Sequence, residues 1–269
     1  MSHSYIQAQF EELIELLSHP RITNCENRRG LRQQTGSLLE DAFLALAIET
    51  APDLSVEIGA HEASFSARLK RSCPQVQAIA FEANPHVFEK YLHAPDNSLE
   101  TVQYKNAAIC SSTGFVDLYI PTKWSKGSFN KSNAISSLLP RTNKQFEYEK
   151  VSVPALTLDD ALANIDFCNA VAWIDVEGAQ REIIKSGTKF FSHASAIYIE
   201  VETVVIWKGQ IIADEVSNLL APHGFVPIIR DNLANIQFNQ VYININKTPT
   251  SVSAPIVDKY IRDIRVLLS

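Results

Sequence analysis

The sequence predicts an α/β protein built on a doubly wound, Rossmann-like sheet, and three observations carry that prediction. Short apolar runs that end in carboxylates recur along the chain, at 55–57, 78–82, 170–177 and 196–202. Segments whose apolar residues repeat at helical spacing separate them, so strands and helices alternate as a parallel sheet requires. The first two runs also pass into tight turns, Glu57-Ile58-Gly59-Ala60-His61 and Phe81-Glu82-Ala83-Asn84-Pro85. Two such strand ends side by side form the crevice in which open α/β sheets bind nucleotide-type ligands.

Residues 1–50 read as an N-terminal helical cap. Ile6, Phe10, Leu13, Ile14 and Leu17 form one face of a helix over 4–17, which Pro20 ends. A polar stretch containing Arg28, Arg29, Gly30 and Arg32 leads to a second helix over 37–50. That stretch is either a solvated loop or part of a cap that closes over an acceptor, its arginines meeting an acidic group. Residues 51–247 form the central domain, opening with strand, helix, strand, helix, strand over 54–110. Asn84 suits an N-cap and Pro85 the first helical turn, and a third strand over 101–105 delivers Asn106 and Ala107 to the same rim.

Residues 115–120 read as an antiparallel addition ending at Pro121. The following 122–150 are polar and without period, which predicts a disordered segment or a lid. A strand over 151–155 and a helix start at Thr157 precede the apolar run 170–178, a central strand buried on both faces with Asp175 and Glu177 at its carboxyl end. A further strand, 196–201, leads into Glu200 and Glu202. A helix over 210–221 then stops at Gly224, and strands 225–230 and 236–245 close the sheet as an antiparallel pair. Residues 248–269 form a linker rich in Pro, Ser and Thr and a C-terminal helix carrying Ile256, Tyr260, Ile261, Ile264 and Leu268.

At 269 residues and 46% hydrophobic, the chain can bury one large core. Its formal charge of −6 argues against binding a phosphate backbone, so nucleic acid is not an expected partner. Cys25, Cys73, Cys110 and Cys168 lie far apart without a Cys-x-x-Cys pair, which signals neither a zinc site nor a disulfide framework. There is no apolar run of the roughly 18 residues that span a bilayer, and no basic region followed by an apolar core at the start. A cytoplasmic protein without a membrane partner is expected.

The charge of the crevice selects its ligand. A dinucleotide needs bare backbone N–H groups for its pyrophosphate, yet only Gly59 stands in the first turn and Glu62 adds a negative charge beside the helix start. Acidic strand ends suit instead the sulfonium and ammonium of S-adenosylmethionine. Glu82, a little beyond the roughly 20-residue spacing expected of a ribose-holding acid, is the candidate for the ribose hydroxyls.

Read together and in this order, Glu57-Ile58-Gly59-Ala60-His61, Phe81-Glu82-Ala83-Asn84-Pro85, Asn106-Ala107-Ala108, Ser136-Ser137-Leu138, Thr157-Leu158-Asp159-Asp160 and Ile174-Asp175-Val176-Glu177-Gly178-Ala179 resemble the FkbM family of S-adenosylmethionine-dependent methyltransferases. The likeness covers about residues 52–245. It implies a seven-stranded sheet of the class I methyltransferase type and methyl transfer to a hydroxyl oxygen of a sugar or natural product, so the expected partner is a small-molecule or carbohydrate acceptor. Through Ser136-Ser137-Leu138 it also implies that 122–150 form a lid over that acceptor. His61 stands where the family usually has Asn, Ala63 where it has Gly and Trp173 where it has Lys.

On this reading Glu57, Gly59, Ala60 and His61 bound the methionine end of the donor. Glu82, with Ala83 and Asn84, holds the ribose. Asn106 and Ala107 border adenine by the resemblance, and Asp175 and Glu177 face the reactive centre. The base is Asp175, Glu177, Glu200 or His61, and the residues alone do not choose among them. Asp175 and Glu177 could ligate a hard cation, but no third ligand is marked and no metal is expected. Two other readings stand beside this one: a binding domain that has kept the fold without the activity, suggested by His61, Ala63 and Trp173, and a nucleotide-dependent oxidoreductase, disfavoured by the missing glycines.

Overall fold

The computed structural model describes residues 3–23, 28–94, 99–124, 127–132, 135–143, 145–232 and 236–269, the side chains of His3, Arg28 and Arg29 excepted. In chain order the elements are α1 (His3–Leu17), α2 (Pro20–Thr23), α3 (Arg28–Thr50), β1 (Leu54–Ile58), α4 (Ser64–Ser72), β2 (Gln77–Glu82), α5 (Pro85–Leu92), β3 (Gln103–Asn106), β4 (Ala108–Ile109), β5 (Gly114–Trp124) and β6 (Gly127–Ser128). There follow β7 (Phe146–Leu156), α6 (Leu158–Ala161), β8 (Ala170–Ile174), α7 (Gln180–Ser186), α8 (Thr188–His193), β9 (Ala194–Glu202), α9 (Ala213–Leu220), β10 (Phe225–Arg230), β11 (Gln237–Asn244) and α10 (Thr250–Leu268).

Seven strands form one sheet in the order β10-β11-β9-β8-β1-β2-β3, parallel except for β11, which runs antiparallel to both its neighbours. Strand order reverses between β1 and β8, so their carboxyl ends open a crevice where a doubly wound sheet binds ligands. β1, β8 and β9 are buried along almost their whole length because helices cover both faces. On one face Val56, Ile58, Ile174, Ile197 and Ile199 meet Ile183, Phe190, Phe191, Val216 and Leu220 of α7, α8 and α9. On the other, Val171, Tyr198, Val241 and Ile243 meet Leu13, Leu39, Phe43, Val257 and Ile261 of α1, α3 and α10. The helices α1, α3 and α10 therefore share a core with the sheet.

Three expectations need correction. The second N-terminal helix begins at Arg28 rather than 37, absorbing the polar stretch. Tertiary packing overrides the poor helix propensity of Gly30 and Gly36: Thr35 is fully buried and its carbonyl accepts from the Tyr260 hydroxyl of α10, at 3.3 Å. The expected linker before the last helix is already helical from Thr250, with Pro255 inside it, because Ser253 and Ala254 are buried against neighbouring elements. Within 122–150, much of the expected lid is strand. β5 and β7 pair antiparallel out to Trp124↔Phe146, past an irregularity between Pro121 and Lys123. With β4 and β6 they make a second, four-stranded sheet, an arm along which Trp124, Phe146 and Tyr148 stack.

Trp173 packs into the core. Its ring lies 3.6 Å from that of Tyr198, nearly parallel, with Phe65 and Phe43 beyond. Such aromatic contacts contribute roughly 0.5–1.5 kcal/mol beyond their buried area.

Candidate functional site

The β1 and β8 tips are pinned together. The Asp175 N–H donates to the Ile58 carbonyl at 2.9 Å, and the N–H groups of Gly59 and Ala60 both donate to the Phe81 carbonyl at 3.0 Å. A methyl group on Gly59 would lie 1.8 Å from the Asp175 carbonyl oxygen, and Gly59 has φ +73°, so glycine alone fits. The turn continues left-handed at His61 (φ 47°) and Ala63 (φ 53°), where Asn and Gly are the residues that take such a conformation easily.

Glu82 organises this turn. One of its carboxylate oxygens accepts from the His61 N–H at 2.9 Å and the other from the Asn84 N–H at 2.7 Å. It is 8% exposed, and burial pushes its carboxyl up to about 7 against those two bonds. Asn84 caps α5 through the His86 N–H, while its amide donates to the Lys131 carbonyl and the Ser136 hydroxyl, both at 2.8 Å. Asn106 donates to the Glu82 carbonyl at 2.8 Å, clamping the same turn. The Tyr104 hydroxyl donates to the His61 carbonyl, and the His61 ring lies edge-on to Tyr91 at 4.7 Å. Burial lowers the His61 pKa.

The tips surround a cleft of about 950 Å³, a volume that includes the open solvent at its mouth. Gly59, His61, Glu82, Ala83, Ala107, Asp175 and Glu177 line it, together with Glu200 and the segment 135–138. Four expected donor residues do not. Glu57, 3% exposed, turns toward α4, where it accepts from the Ser66 N–H at 2.7 Å, and burial raises it to about 7. Ala60, Asn84 and Asn106 act behind the wall, the last two through the bonds just described. Nor does the N-terminal cap close over the cleft: among the described residues, none before Ile58 lines it, because α1 and α3 spend their apolar faces on the sheet. The Arg28 and Arg29 side chains and Cys25 fall outside the described residues.

The opposite wall is acidic. Asp175 is exposed to the cleft, and desolvation followed by repulsion from Glu40 raises its pKa to about 6. Glu177 is half-buried and raised to about 7 by burial, with Arg141 opposing the shift. Beside it, Glu200 accepts from Gln237 at 2.7 Å and Glu202 from Gln210 at 2.5 Å. Burial drives Glu200 well above the carboxylate range and Glu202 to about 7. The Ser137 hydroxyl donates to the Glu177 carbonyl, tying the arm's return segment to this wall. The guanidinium of Arg141 stacks 4.4 Å from the ring of the fully buried Trp207.

Trp207, Gln210 and Gln180, whose buried amide donates to the Glu200 carbonyl at 2.9 Å, escaped the sequence reading. The signal for Trp207 was Gly178: a Cβ there would lie 2.8 Å from the indole, and its φ is +87°. None of the departures at 61, 63 and 173 blocks the cleft, since His61 lines its edge, Ala63 is buried in the turn and Trp173 belongs to the core.

Residues 57–227 match the sequence model of the Methyltransferase FkbM domain. The chain is 24% identical over 206 residues to the 2-O-methyltransferase NoeI of Sinorhizobium fredii, an alignment spanning 72% of this chain and 82% of that protein. Similar solved structures include an FkbM methyltransferase from Methylobacillus flagellatus, at 10% identity and TM-score 0.43 over 72% of this chain and 44% of that one. Another is the magnesium protoporphyrin IX methyltransferase of Synechocystis, solved with S-adenosylmethionine, at 9% identity and TM-score 0.42 over 90% and 92%.

Proposed function

Because this chain belongs to the FkbM methyltransferase family, with S-adenosylmethionine as its methyl donor, we propose that it methylates a hydroxyl oxygen of a carbohydrate or related small-molecule acceptor. The residues fit the donor. Glu82 is a buried carboxylate with each oxygen held by a single N–H, leaving acceptor capacity for two ribose hydroxyls. The acidic rim suits a sulfonium and an ammonium. Gly59 and His61 flank the methionine end, and Ala83 and Ala107 give the apolar surface an adenine needs.

When bound, S-adenosylmethionine supplies an electrophilic methyl group, which the acceptor oxygen takes in line as the carbon–sulfur bond breaks and its electron pair stays on sulfur. The observation that carries the reading is Asp175, a carboxylate open to the cleft beside the pinned β1 tip and raised to about 6. Asp175 takes the proton that the acceptor oxygen releases; a base of that pKa is ionised at neutrality and still able to hold a proton. His61 suits this role less well, because its ring lies on the donor side against Tyr91. The name of the Sinorhizobium relative supports oxygen as the methylated atom.

The test is Asp175→Asn, assayed for transfer of a labelled methyl group to a panel of mono- and oligosaccharides. A fall in kcat of about a hundredfold or more, with S-adenosylhomocysteine affinity held within about threefold, is expected. Undiminished turnover would reject Asp175 as the base. Donor binding without transfer to any hydroxylated acceptor would favour a binding domain.

A further inference from the structure

Glu177, Glu200 and Glu202 each bring one carboxylate oxygen within 4.8 Å of the other two. We propose that these three side chains form a binding site for a hard divalent cation, which holds and polarises an acceptor hydroxyl.

The sequence marks only Asp175 and Glu177 as a pair, two residues apart at one strand end. The fold makes a different grouping, because β9 runs parallel to β8 and carries Glu200 and Glu202 to the same rim. The spacing suits a cation: Mg²⁺, Mn²⁺ and Ca²⁺ take oxygen ligands at roughly 2.0–2.6 Å, so opposite ligands stand about 4–5 Å apart.

A second observation is independent of the clustering. Glu202 is completely buried; its Oε2 accepts from Gln210 and the Gln180 side chain stands beside the carboxylate, but its Oε1 accepts no bond of ordinary geometry. A carboxylate oxygen left unpaired in the interior is costly, and a cation is the partner that three converging carboxylates have in common. The positive charge acting on this wall comes from Arg141, which reaches Glu177 and Glu202 electrostatically.

Two of the ligands, Glu177 and Glu200, line the cleft, so an ion there has an open side for water or for acceptor oxygens. Such an ion lowers the proton affinity of a bound hydroxyl as a Lewis acid. It favours acceptors with neighbouring hydroxyls, which can offer two oxygens at once. This role rests on the methyltransferase reading above; the existence of the site does not.

The test uses chelator-stripped full-length protein at pH 7.5, titrated with Mn²⁺ and followed by electron paramagnetic resonance. One Mn²⁺ per chain is expected in the wild type, with affinity at least tenfold weaker in Glu200→Gln and in Glu202→Gln and unchanged in Glu11→Gln on α1. Failure of the wild type to bind Mn²⁺ at millimolar free metal overturns the proposal, as does unchanged affinity in both glutamine variants. Should those variants not fold, Tb³⁺ luminescence of the wild type decides: excitation through Trp207 is expected to sensitise it, and a signal that Trp207→Phe leaves intact counts against the site. S-adenosylhomocysteine titrated into the same samples separates the two readings. Its binding without Mn²⁺ binding overturns the cation site alone, whereas Mn²⁺ binding without it overturns the methyltransferase reading alone.

Discussion

Replacing Gly59 with alanine tests the geometry on which the cleft depends. The added Cβ would stand 1.8 Å from the Asp175 carbonyl oxygen and 2.8 Å from the carbonyl carbon, both backbone atoms, so no side-chain rotation relieves the clash. The β1 and β8 tips must separate by more than 1 Å, roughly, to restore ordinary contact. Left-handed φ costs an L-residue about 1–2 kcal/mol, and overpacking a fixed site adds about 1–3 kcal/mol. Together they predict a loss of about 2–5 kcal/mol in urea denaturation, and a fall in melting temperature of roughly 5–15 °C for a chain of this size. Donor affinity falls as well, since Gly59 and Asp175 shift apart. Ala63→Gly is the contrast: relief of left-handed strain is offset by the lost methyl and the added chain entropy, so the net change stays within about 1 kcal/mol. A Gly59→Ala protein that loses less than about 1 kcal/mol and keeps its affinity for S-adenosylhomocysteine would refute the reasoning.

Other expectations follow from the same geometry. Glu82→Ala removes the carboxylate that anchors the turn and, on the proposed reading, holds the ribose; calorimetry should show at least a hundredfold weaker donor binding, since hydrogen bonds to a charged group contribute about 1.5–3 kcal/mol each, and unchanged affinity would reject the assignment. Asn84→Ala removes an N-cap and the tie to 131–136, so a stability loss of about 1 kcal/mol should accompany a raised KM for the acceptor; a stability loss alone would show that the tie is irrelevant to the cleft. Stability should also fall with rising pH. Burial raises Glu57, Glu82, Glu177 and Glu202 from 4.5 to about 7, and desolvation within the cleft raises Asp175 from 3.8 to about 6. Between those limits the folded chain holds more protons than the unfolded one, so their stabilisation is complete below about pH 4 and gone above about pH 7. The ligand-free protein should melt lower at pH 8 than at pH 5.5, and the opposite order in calorimetry would contradict the burial of these acids.

Much of the α/β framework could be read in the sequence because each strand that matters is an apolar run ended by an acid and a turn residue. Ser55-Val56-Glu57-Ile58-Gly59 and Ala170-Val171-Ala172-Trp173-Ile174-Asp175 needed no tertiary information to be placed at strand ends. Glu57 shows the limit of that reading. Its position in β1 was legible, but period-two alternation sends its side chain to the face that meets α4, away from Ile58 and the cleft. The arm was read as lid because Thr122, Lys123 and Glu147 give it a polar composition, while its order comes from cross-strand stacking that only pairing reveals. Gly30 and Gly36 hid the start of α3 for a similar reason, since contacts with α10 stabilise it more than its own residues do. Glu202 lay in plain view at the end of an apolar run, but its place beside Glu177 depends on β8 and β9 being neighbours.

The hairpin arm joins the parent sheet by a narrow root. The chain leaves the main sheet after β3 and returns after β7; at that root Ala108 and Ile109 pair with Ala155 and Leu156 within the second sheet, and Thr113 bonds Asp160 just beyond. From that root the chain travels out and back through β5, β6 and β7, reaching the cleft at 135–138. One wall of the cleft is thus carried by the arm, while the tips of β1, β2 and β8 belong to the main sheet. Because Asn84 of the Glu82 turn donates to Lys131 and Ser136, and Ser137 to the Glu177 carbonyl, a change in the arm is felt at both sides of the cleft.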